Sequence, residues 1–429
     1  MRLYSTLQRE LVELPSPDAG PVRMYFCGPT VYQRAHIGNA RPFVLGMWLR
    51  SWLRHRGYDA TLVHNITDVN DKIYDAAPGA SAELAARATE WYLKDTEDLG
   101  LGRPDGLPLA TEHIPGIVRF IEQLLERDYA YAVEGDVYFR VARDAQYGRL
   151  SGQRPDQMEQ GEEPSPLKED PRDFALWKAN KPGEDTAWDA PWGRGRPGWH
   201  IECSAMAEEI YGPAFEIHGG GLDLVFPHHE NEVAQSRALG HAFAQIWAHN
   251  GMLQFVGEKM SKSSGNVETI REAIDKWRRE VILLFFLTAS WRKPIDYSEE
   301  TMAQAKAQWT TFLNATLVPQ DSDAGPAWDE FAAVLDDDFN TPAALALMHE
   351  WRRHGNHRNL GRALSIFGLT TQAPGQAPME FRLKAEARLE ARAARDFETS
   401  DKLRAEIEAA GWELRDISEP PGYQLVPKR

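Results

Sequence analysis

Cysteine is nearly absent: only Cys27 and Cys203 occur among 429 residues. Two thiols cannot build the network of bridges that holds small secreted domains together, so stability has to come from packed apolar cores. Long apolar runs are missing too. The longest, VILLFFLTASW from Val281, falls short of the ~20 residues that a helix needs to cross a bilayer. The opening MRLYSTLQRELVEL spaces charges through the stretch where a signal peptide would be apolar. A cytoplasmic protein without membrane contact is the expectation. Positive charge is in deficit, with 48 lysines and arginines against 64 aspartates and glutamates and a net charge of −16. That excludes a uniformly basic coat for nucleic acid and leaves room for a local basic patch. No internal repeat is visible.

What is present is an ordinary globular composition, 42% hydrophobic and 26% charged, long enough for two to four units at ~100–200 residues each. PVRMYFCGPTVY reads as a short buried strand, Met24 to Cys27, stopped by Gly28 and Pro29. HIGNARPFVLGMWLRSWLRHRGY then places Phe43, Val44, Met47 and Trp48 on one face of a helix. DATLVHNITD is a second strand, and strand, helix, strand at this spacing is a βαβ unit with sites at the carboxyl edge of a parallel sheet. A helix in EHIPGIVRFIEQLLERDYAY leads to a strand at DVYFRV, and the proline-rich GQRPDQMEQGEEPSPLKEDPRD reads as an exposed loop in an inserted unit. RPGWHIECSAM and FEIHGGGLDLVF offer later strands and a glycine turn. From Arg271 onward helical patterns dominate, with linkers at DSDAGPAWDE and TTQAPGQAPME.

Three clusters carry chemistry. In FPHHENEVAQS, Pro227 suits the first turn of a helix, on which His228 and Glu232 share a face at i and i+4 while His229 and Glu230 point elsewhere. An imidazole and a carboxylate on one face are half a zinc site, or a solvated helix start with one ion pair. His36 opens a helix with Asn39 three positions on, so both can donate to phosphate oxygens where the helix dipole attracts anions. EKMSKSSGN is a glycine-flanked loop whose Lys259 and Lys262 can neutralise charge on a leaving phosphate group. Each alone is weak: a lone histidine at a helix start is more often a cap or core residue, and such a loop is more often plain polar surface.

Their joint occurrence, in this order around an inserted segment, resembles the HIGH and KMSKS signatures of class I aminoacyl-tRNA synthetases. With CGPTVY, NITDVNDKI, GWHIECSAM and HGGGLDLVFPHHENE beside them, the chain is most similar to the cysteinyl-tRNA synthetases, from about Tyr25 onward. The resemblance implies a Rossmann-like α/β catalytic domain with a parallel sheet and an inserted connective domain, followed by a stem-contact region and C-terminal helical domains. It implies activation of L-cysteine with ATP and transfer to tRNA(Cys), Mg²⁺ with the ATP, and one Zn²⁺ per chain held by Cys27, Cys203, His228 and Glu232. His36, Asn39, Lys259 and Lys262 would be catalytic. Gly38, Asp223 and Lys262 would bind ATP, and Thr67, Trp199 and Cys27 would bind the amino acid. His229 ranks behind His228 as a ligand.

The expected divisions are 1–115 and 196–255 for the two halves of the catalytic domain and 116–195 for the insert. Residues 256–315 would hold the KMSKS loop and stem-contact region, 316–372 a helical bundle and 373–429 an anticodon-side unit. The chain departs from the family pattern at Asn39, where a second histidine is frequent, and at Asn70, where aspartate is usual. Its helical bundle is short, and EPPGYQLVPKR keeps Pro421 and Gly422 but lacks a nearby tryptophan. Two other readings share the scaffold: a ligase joining cysteine to an amino-sugar through the same adenylate, and a non-catalytic tRNA-binding relative. A monomer is expected.

Overall fold

The computed structural model describes residues 1–154, 164–255, 258–259, 268–316, 322–369, 377–416 and 422–427. The apolar stretch Val22–Phe26 forms a strand that gives way at the Gly28-Pro29 turn. The signature helix, Ile37–His55, buries Phe43, Val44, Met47 and Trp48, the four positions its periodicity put on one face. Ala60–His64 pairs parallel to Val22–Phe26 and completes the βαβ unit. Ala214–Gly221 and Phe243–Asn250 extend the sheet on the other side, again parallel.

The sheet order is therefore Phe243–Asn250, Ala214–Gly221, Val22–Phe26, Ala60–His64. The first strand has the second on one flank and the third on the other. In an open α/β sheet the crevice beyond the carboxyl ends at such a reversal is the natural ligand site. Two close approaches there require glycine. A Cβ on Gly28 would lie 1.7 Å from the Asn65 carbonyl oxygen, and one on Gly219 would lie 2.4 Å from Phe26 Cζ.

RPGWHIECSAM departs from the expected strand. The strand Gly195–Pro197 stops before Gly198, and Trp199–Tyr211 is a helix. All of His200 to Ala207 is buried, so no polar face exists to give the 3.6-residue rhythm that marks a helix in sequence. Pro227 likewise does not open a regular helix. Val225–His229 winds as a wider turn in which Phe226 is extended (φ −140°, ψ 133°), and the helix Glu230–Ala238 follows. FEIHGGG does supply the strand Ala214–Gly221.

Between the sheet's halves the chain forms the helix Ile114–Glu126 and a second, antiparallel sheet, Ala130–Val133, Asp136–Phe139, Phe174–Ala179 and Gly195–Pro197. Its core of Phe120, Leu124, Phe139 and Trp177 continues into Ile201 and Ala234, so it packs on the helices Trp199–Tyr211 and Glu230–Ala238. The proline-rich loop lies partly outside the described residues, at 155–163. Beyond Thr269 eight helices dominate among the described residues, from Ile270–Trp277 to Phe397–Ala409. WELRD, read with the last helices, is instead a strand, Trp412–Asp416, paired antiparallel with Tyr423–Pro427 over a small core of Ala385, Ile407 and Leu414. The run at Val281 is buried in the helix Arg279–Leu287. No described helix is long and apolar enough to cross a membrane. The linker TTQAPGQAPME falls at 370–376 outside the described residues.

Phe26 is fully buried and lies against Gly219. Phe26→Ala removes a ring the surrounding strands cannot collapse to replace, so it should cost about 3–5 kcal/mol. Urea unfolding followed by tryptophan fluorescence should show the main transition at lower urea. An unchanged midpoint would mean that this ring does not support the sheet.

Candidate active site and metal centre

Cys27 follows the end of the central strand, and its N–H donates to the Gly219 carbonyl at 2.9 Å. That bond carries its side chain to the switch point of the sheet. Cys203, on the second turn of the Trp199–Tyr211 helix, lies 3.6 Å from it, Sγ to Sγ. His228 Nε2 is 3.5 Å and Glu232 Oε1 3.8 Å from the same sulfur. His228 Nε2 and Glu232 Oε1 are 3.0 Å apart across the i, i+4 step. Both sulfurs, the imidazole and the carboxylate are buried.

His229, ranked behind His228 by spacing, also reaches the cluster, its Nε2 3.4 Å from Cys27 Sγ. The wide turn before Glu230 brings both rings inward, where a regular helix would separate them by 100°. Cys27, His228, His229 and Glu232 each offer a donor atom within 4.8 Å of the others. Their surroundings orient them. His200 Nδ1 lies 3.0 Å from His228 Nδ1, Trp199 stacks on the His228 ring at 4.3 Å, and His218 Nε2 lies 3.0 Å from Glu232 Oε2. His229 Nδ1 is 2.7 Å from His249 Nε2, whose other nitrogen is 2.7 Å from Thr6 Oγ1. Outer partners of this kind fix the tautomer and direction of a ligand ring.

The protons are distributed unevenly. Burial raises the Cys27 thiol well above its ordinary value. The Cys27 hydrogen bond, with help from His228, lowers the Cys203 thiol to about 6 against the opposing burial. Burial would depress His228, but Glu232 and Cys203 raise it to about 10. Burial would raise Glu232, but His218 and His228 hold it at about 2. Two thiols, an imidazole and a carboxylate closed off from water form the donor set of a soft-to-borderline divalent cation, which lets the thiols shed their protons. Ligand bonds of ~2.0–2.3 Å in a tetrahedron put donors ~3.3–3.8 Å apart; the contacts of Cys27 span 3.5 to 3.8 Å, and His228 Nε2 and Glu232 Oε1, now 3.0 Å apart in a direct ion pair, would part slightly to share an ion. The residues fit a metal ion.

Cys27 alone of the cluster reaches a cleft of about 260 Å³, lined also by His36, Asn39, Trp199, Asp223 and Met252 among others. His36 is the N-cap of the signature helix, and its N–H donates to Asn39 Oδ1 at 3.2 Å. Asn39 thus closes the helix start with its carbonyl and keeps its amide as a donor. Gly38 is a spatial necessity, since a Cβ there would sit 2.8 Å from the His36 ring. Asp223 lies in a short turn, Leu222–Leu224, at the end of the third strand. Thr67 stands behind the cleft: its N–H donates to the Pro29 carbonyl and its carbonyl accepts from Val31, both at 3.1 Å. It shapes the Cys27-Gly28-Pro29 loop and is not among the lining residues. Lys259 falls in a two-residue strand, Glu258–Lys259, paired with Leu253–Phe255. Lys262 lies outside the described residues. Asn70 accepts from Lys72 N–H at 3.1 Å and caps the helix Asp71–Ala76.

Sequence patterns missed His64, His200, His218 and His249, because single histidines in strands and helices carry no periodic signal. HGGG suggested a glycine turn, and its glycines are instead the end of the strand Ala214–Gly221. His64 ends the second strand and lines the cleft, with Nε2 2.5 Å from Tyr92 Oη.

This arrangement, a parallel sheet with a metal-ready cluster and a helix N-terminus facing one cleft at its switch point, is that of a class I tRNA synthetase. The chain matches the family described as tRNA synthetases class I (C) catalytic domain over residues 14–307 and the DALR domain over 330–367. It is 39% identical to the cysteine–tRNA ligase of Pseudothermotoga lettingae over 462 residues, 99% of either chain. With the cysteine–tRNA ligase of Pseudomonas paraeruginosa it shares 43%, over 97% of either chain. The methionyl-tRNA synthetase of Mycobacterium tuberculosis in complex with methionyl-adenylate is similar in structure, at TM-score 0.55 and 16% identity, over 91% of this chain and 89% of that one. The chain belongs to the cysteine–tRNA ligase family.

Burial lowers the His64 pKa to about 4. An unfolded chain binds that proton near pH 6.5, so this share of stability is complete above 6.5, falls as pH drops toward 4 and then levels off, by roughly 3 kcal/mol in all. His229 and His249 are also depressed by burial and add slopes of the same sign. The readout is therefore a difference: urea midpoints from pH 7 to 4 should fall less steeply for His64→Gln than for the parent. Parallel slopes would show that His64 does not stay neutral in the fold.

Proposed function

We propose that this chain activates L-cysteine with ATP, releasing pyrophosphate, and transfers the cysteinyl group to the 3′-terminal adenosine of tRNA(Cys). One observation carries the reading: the buried cluster of Cys27, Cys203, His228 and Glu232 meets, through Cys27, the cleft that His36 and Asn39 also line. The cysteine carboxylate attacks the α-phosphorus, and the bond to the β-phosphate oxygen breaks. His36 and Asn39, at a helix N-terminus, would receive the phosphate oxygens. Lys259 and Lys262 would meet the charge that develops on the leaving pyrophosphate, with Mg²⁺ as partner. Asp223 and Gly38 would bound the nucleotide, and Trp199, stacked on His228, would form a wall for the amino acid.

Cys27, Cys203, His228 and Glu232 would hold one zinc ion, which supplies a soft partner for a thiolate that a serine hydroxyl cannot match. His229, whose Nε2 also reaches Cys27 while Nδ1 is held by His249, is the neighbouring donor in this reading. Glu232 is the ligand to loosen for a substrate sulfur, because a carboxylate oxygen is the hardest donor of the four and His218 is placed to take it up. A site that engages one group rejects an analogue lacking it by ~10⁴–10⁵, so no second sieve is needed. The divisions at 115, 195, 255, 315 and 372 are proposed with this reading, as are a cytoplasmic location and a monomer.

Cysteine-dependent ATP–pyrophosphate exchange followed by charging of purified tRNA tests the whole. Exchange without charging would point to the amide ligase, and no exchange to a binding-only relative. Lys262→Ala should lower kcat for exchange by ~10²–10³ while changing ATP affinity less; a loss of affinity alone would reject its transition-state role. In cobalt-substituted enzyme, cysteine should add a sulfur-to-metal charge-transfer band that serine does not. A spectrum blind to cysteine would make the metal structural.

A further inference from the structure

Arg34 stands two positions before His36, and its side chain lines the same cleft. No signature motif includes it. Two contacts hold it from behind. Nη1 donates to both carboxylate oxygens of Asp95, at 2.9 and 2.8 Å, and the guanidinium lies 5.2 Å from the centre of the Trp91 ring. Asp95, on the helix Ser81–Glu97, is fully buried. An arginine gripped through one terminal nitrogen and stacked on an indole has a fixed plane, and its other donors have a fixed direction. Nε and Nη2 make no hydrogen bond to a described residue.

Asp95 has a second partner: Arg271 Nε donates to Oδ1 at 3.1 Å. Arg271 belongs to the helix Ile270–Trp277, which begins where the chain returns from the segment of Lys259 and Lys262. Two backbone bonds tie that return to Arg34's own segment, Ile37 N–H to Glu268 O at 2.8 Å and Ile270 N–H to Ala35 O at 3.0 Å. A single buried carboxylate thus joins the strand-to-helix loop to the base of the lysine segment. Arg271 is met by Asp98 and Asp275 as well, so the cationic group this wall offers to the cleft is Arg34, through its Nε and Nη2 donors, beside a helix N-terminus. A multiply charged anion with several oxygens is the chemistry that matches.

We infer that Arg34 is a further ATP-binding residue, taking the β- and γ-phosphates and holding them as pyrophosphate when the bond to the α-phosphorus breaks, and that Asp95 is its positioning residue. The inference rests on the adenylate-forming reading above. A guanidinium fork donates two parallel bonds to phosphate oxygens, which an ammonium cannot reproduce.

Direct binding separates the two ideas, because it does not depend on turnover. Calorimetry on the full chain should show Arg34→Ala binding ATP and pyrophosphate about ten- to a hundredfold more weakly, with AMP unaffected. Arg34→Lys should recover part of the loss. Added guanidinium ion, at concentrations that leave the parent folded, should restore pyrophosphate binding to Arg34→Ala, which a merely structural defect would not permit. Asp95→Asn should give a smaller loss in the same ligands. If Arg34→Ala does not fold, Arg34→Gln keeps part of the stem and a neutral polar end and serves in its place. Unchanged pyrophosphate affinity, an equal loss for AMP, or a defect confined to tRNA charging would each overturn the assignment. Exchange by the parent enzyme, run beside these titrations, tests the adenylate reading by itself.

Discussion

The parallel pairing of Val22–Phe26 with Ala214–Gly221 is the constraint on which the site depends. Its last rung, Cys27 N–H to Gly219 O, closes only because Gly219 has no side chain to meet Phe26. From that rung Cys27 faces Cys203, 176 residues later in the chain, and Glu232, 205 residues later. No helix or turn could bring these groups together locally. A sheet that changes its direction of growth at this boundary does so as a matter of topology, and the cleft inherits its position.

Within that frame the cluster solves an electrostatic problem. Burying an unpaired carboxylate or imidazolium is costly, and burying both in contact is tolerated only with good geometry and further partners. Glu232 has His228 and His218, one on each oxygen, and His228 has His200 on its far nitrogen. The histidines therefore act as a charge reservoir around two thiols. Lowering Cys203 and raising Cys27 makes the pair asymmetric, so one sulfur is already close to the thiolate that a cation requires.

Much of this was legible in the residues, and the rest failed for identifiable reasons. The two strands were legible as short apolar runs, the first of them stopped by a Gly-Pro turn, and the signature helix by its spaced apolar residues and basic end, although both strands and residues 43–50 of the helix are buried on every side. Periodicity misread Trp199–Tyr211, where burial on all sides leaves no contrast to detect. His228 and Glu232 were found by helical spacing although His228 sits in a turn that is not a regular helix, since the i, i+4 relation survives from the end of that turn into the helix Glu230–Ala238. The same irregularity brought in His229, which spacing alone had turned away. Thr67, expected to bind the amino acid, uses its backbone to hold the loop that carries Cys27. Asn39 and Asn70, which depart from the family pattern, both serve as helix-start acceptors, a role that asparagine fills better than most residues. Arg34 and Asp95 share no sequence pattern, since 61 positions, with two helices and a strand, separate them.

The hairpin Arg2–Ser5 and Glu10–Glu13 is joined to the far edge of the sheet, with Thr6 N–H on the Trp247 carbonyl and Thr6 Oγ1 on His249. That contact spans 243 positions. Chain growth runs from the hairpin outward, so on a ribosome the hairpin is exposed long before the strand that receives it has been made. Contacts of such long range are slow to form and leave intermediates with unsatisfied edges. The relay behind His229 is consequently among the last parts of the molecule to be completed, and a chain interrupted before residue 243 holds every cysteine and most of the cluster without the strand that closes it.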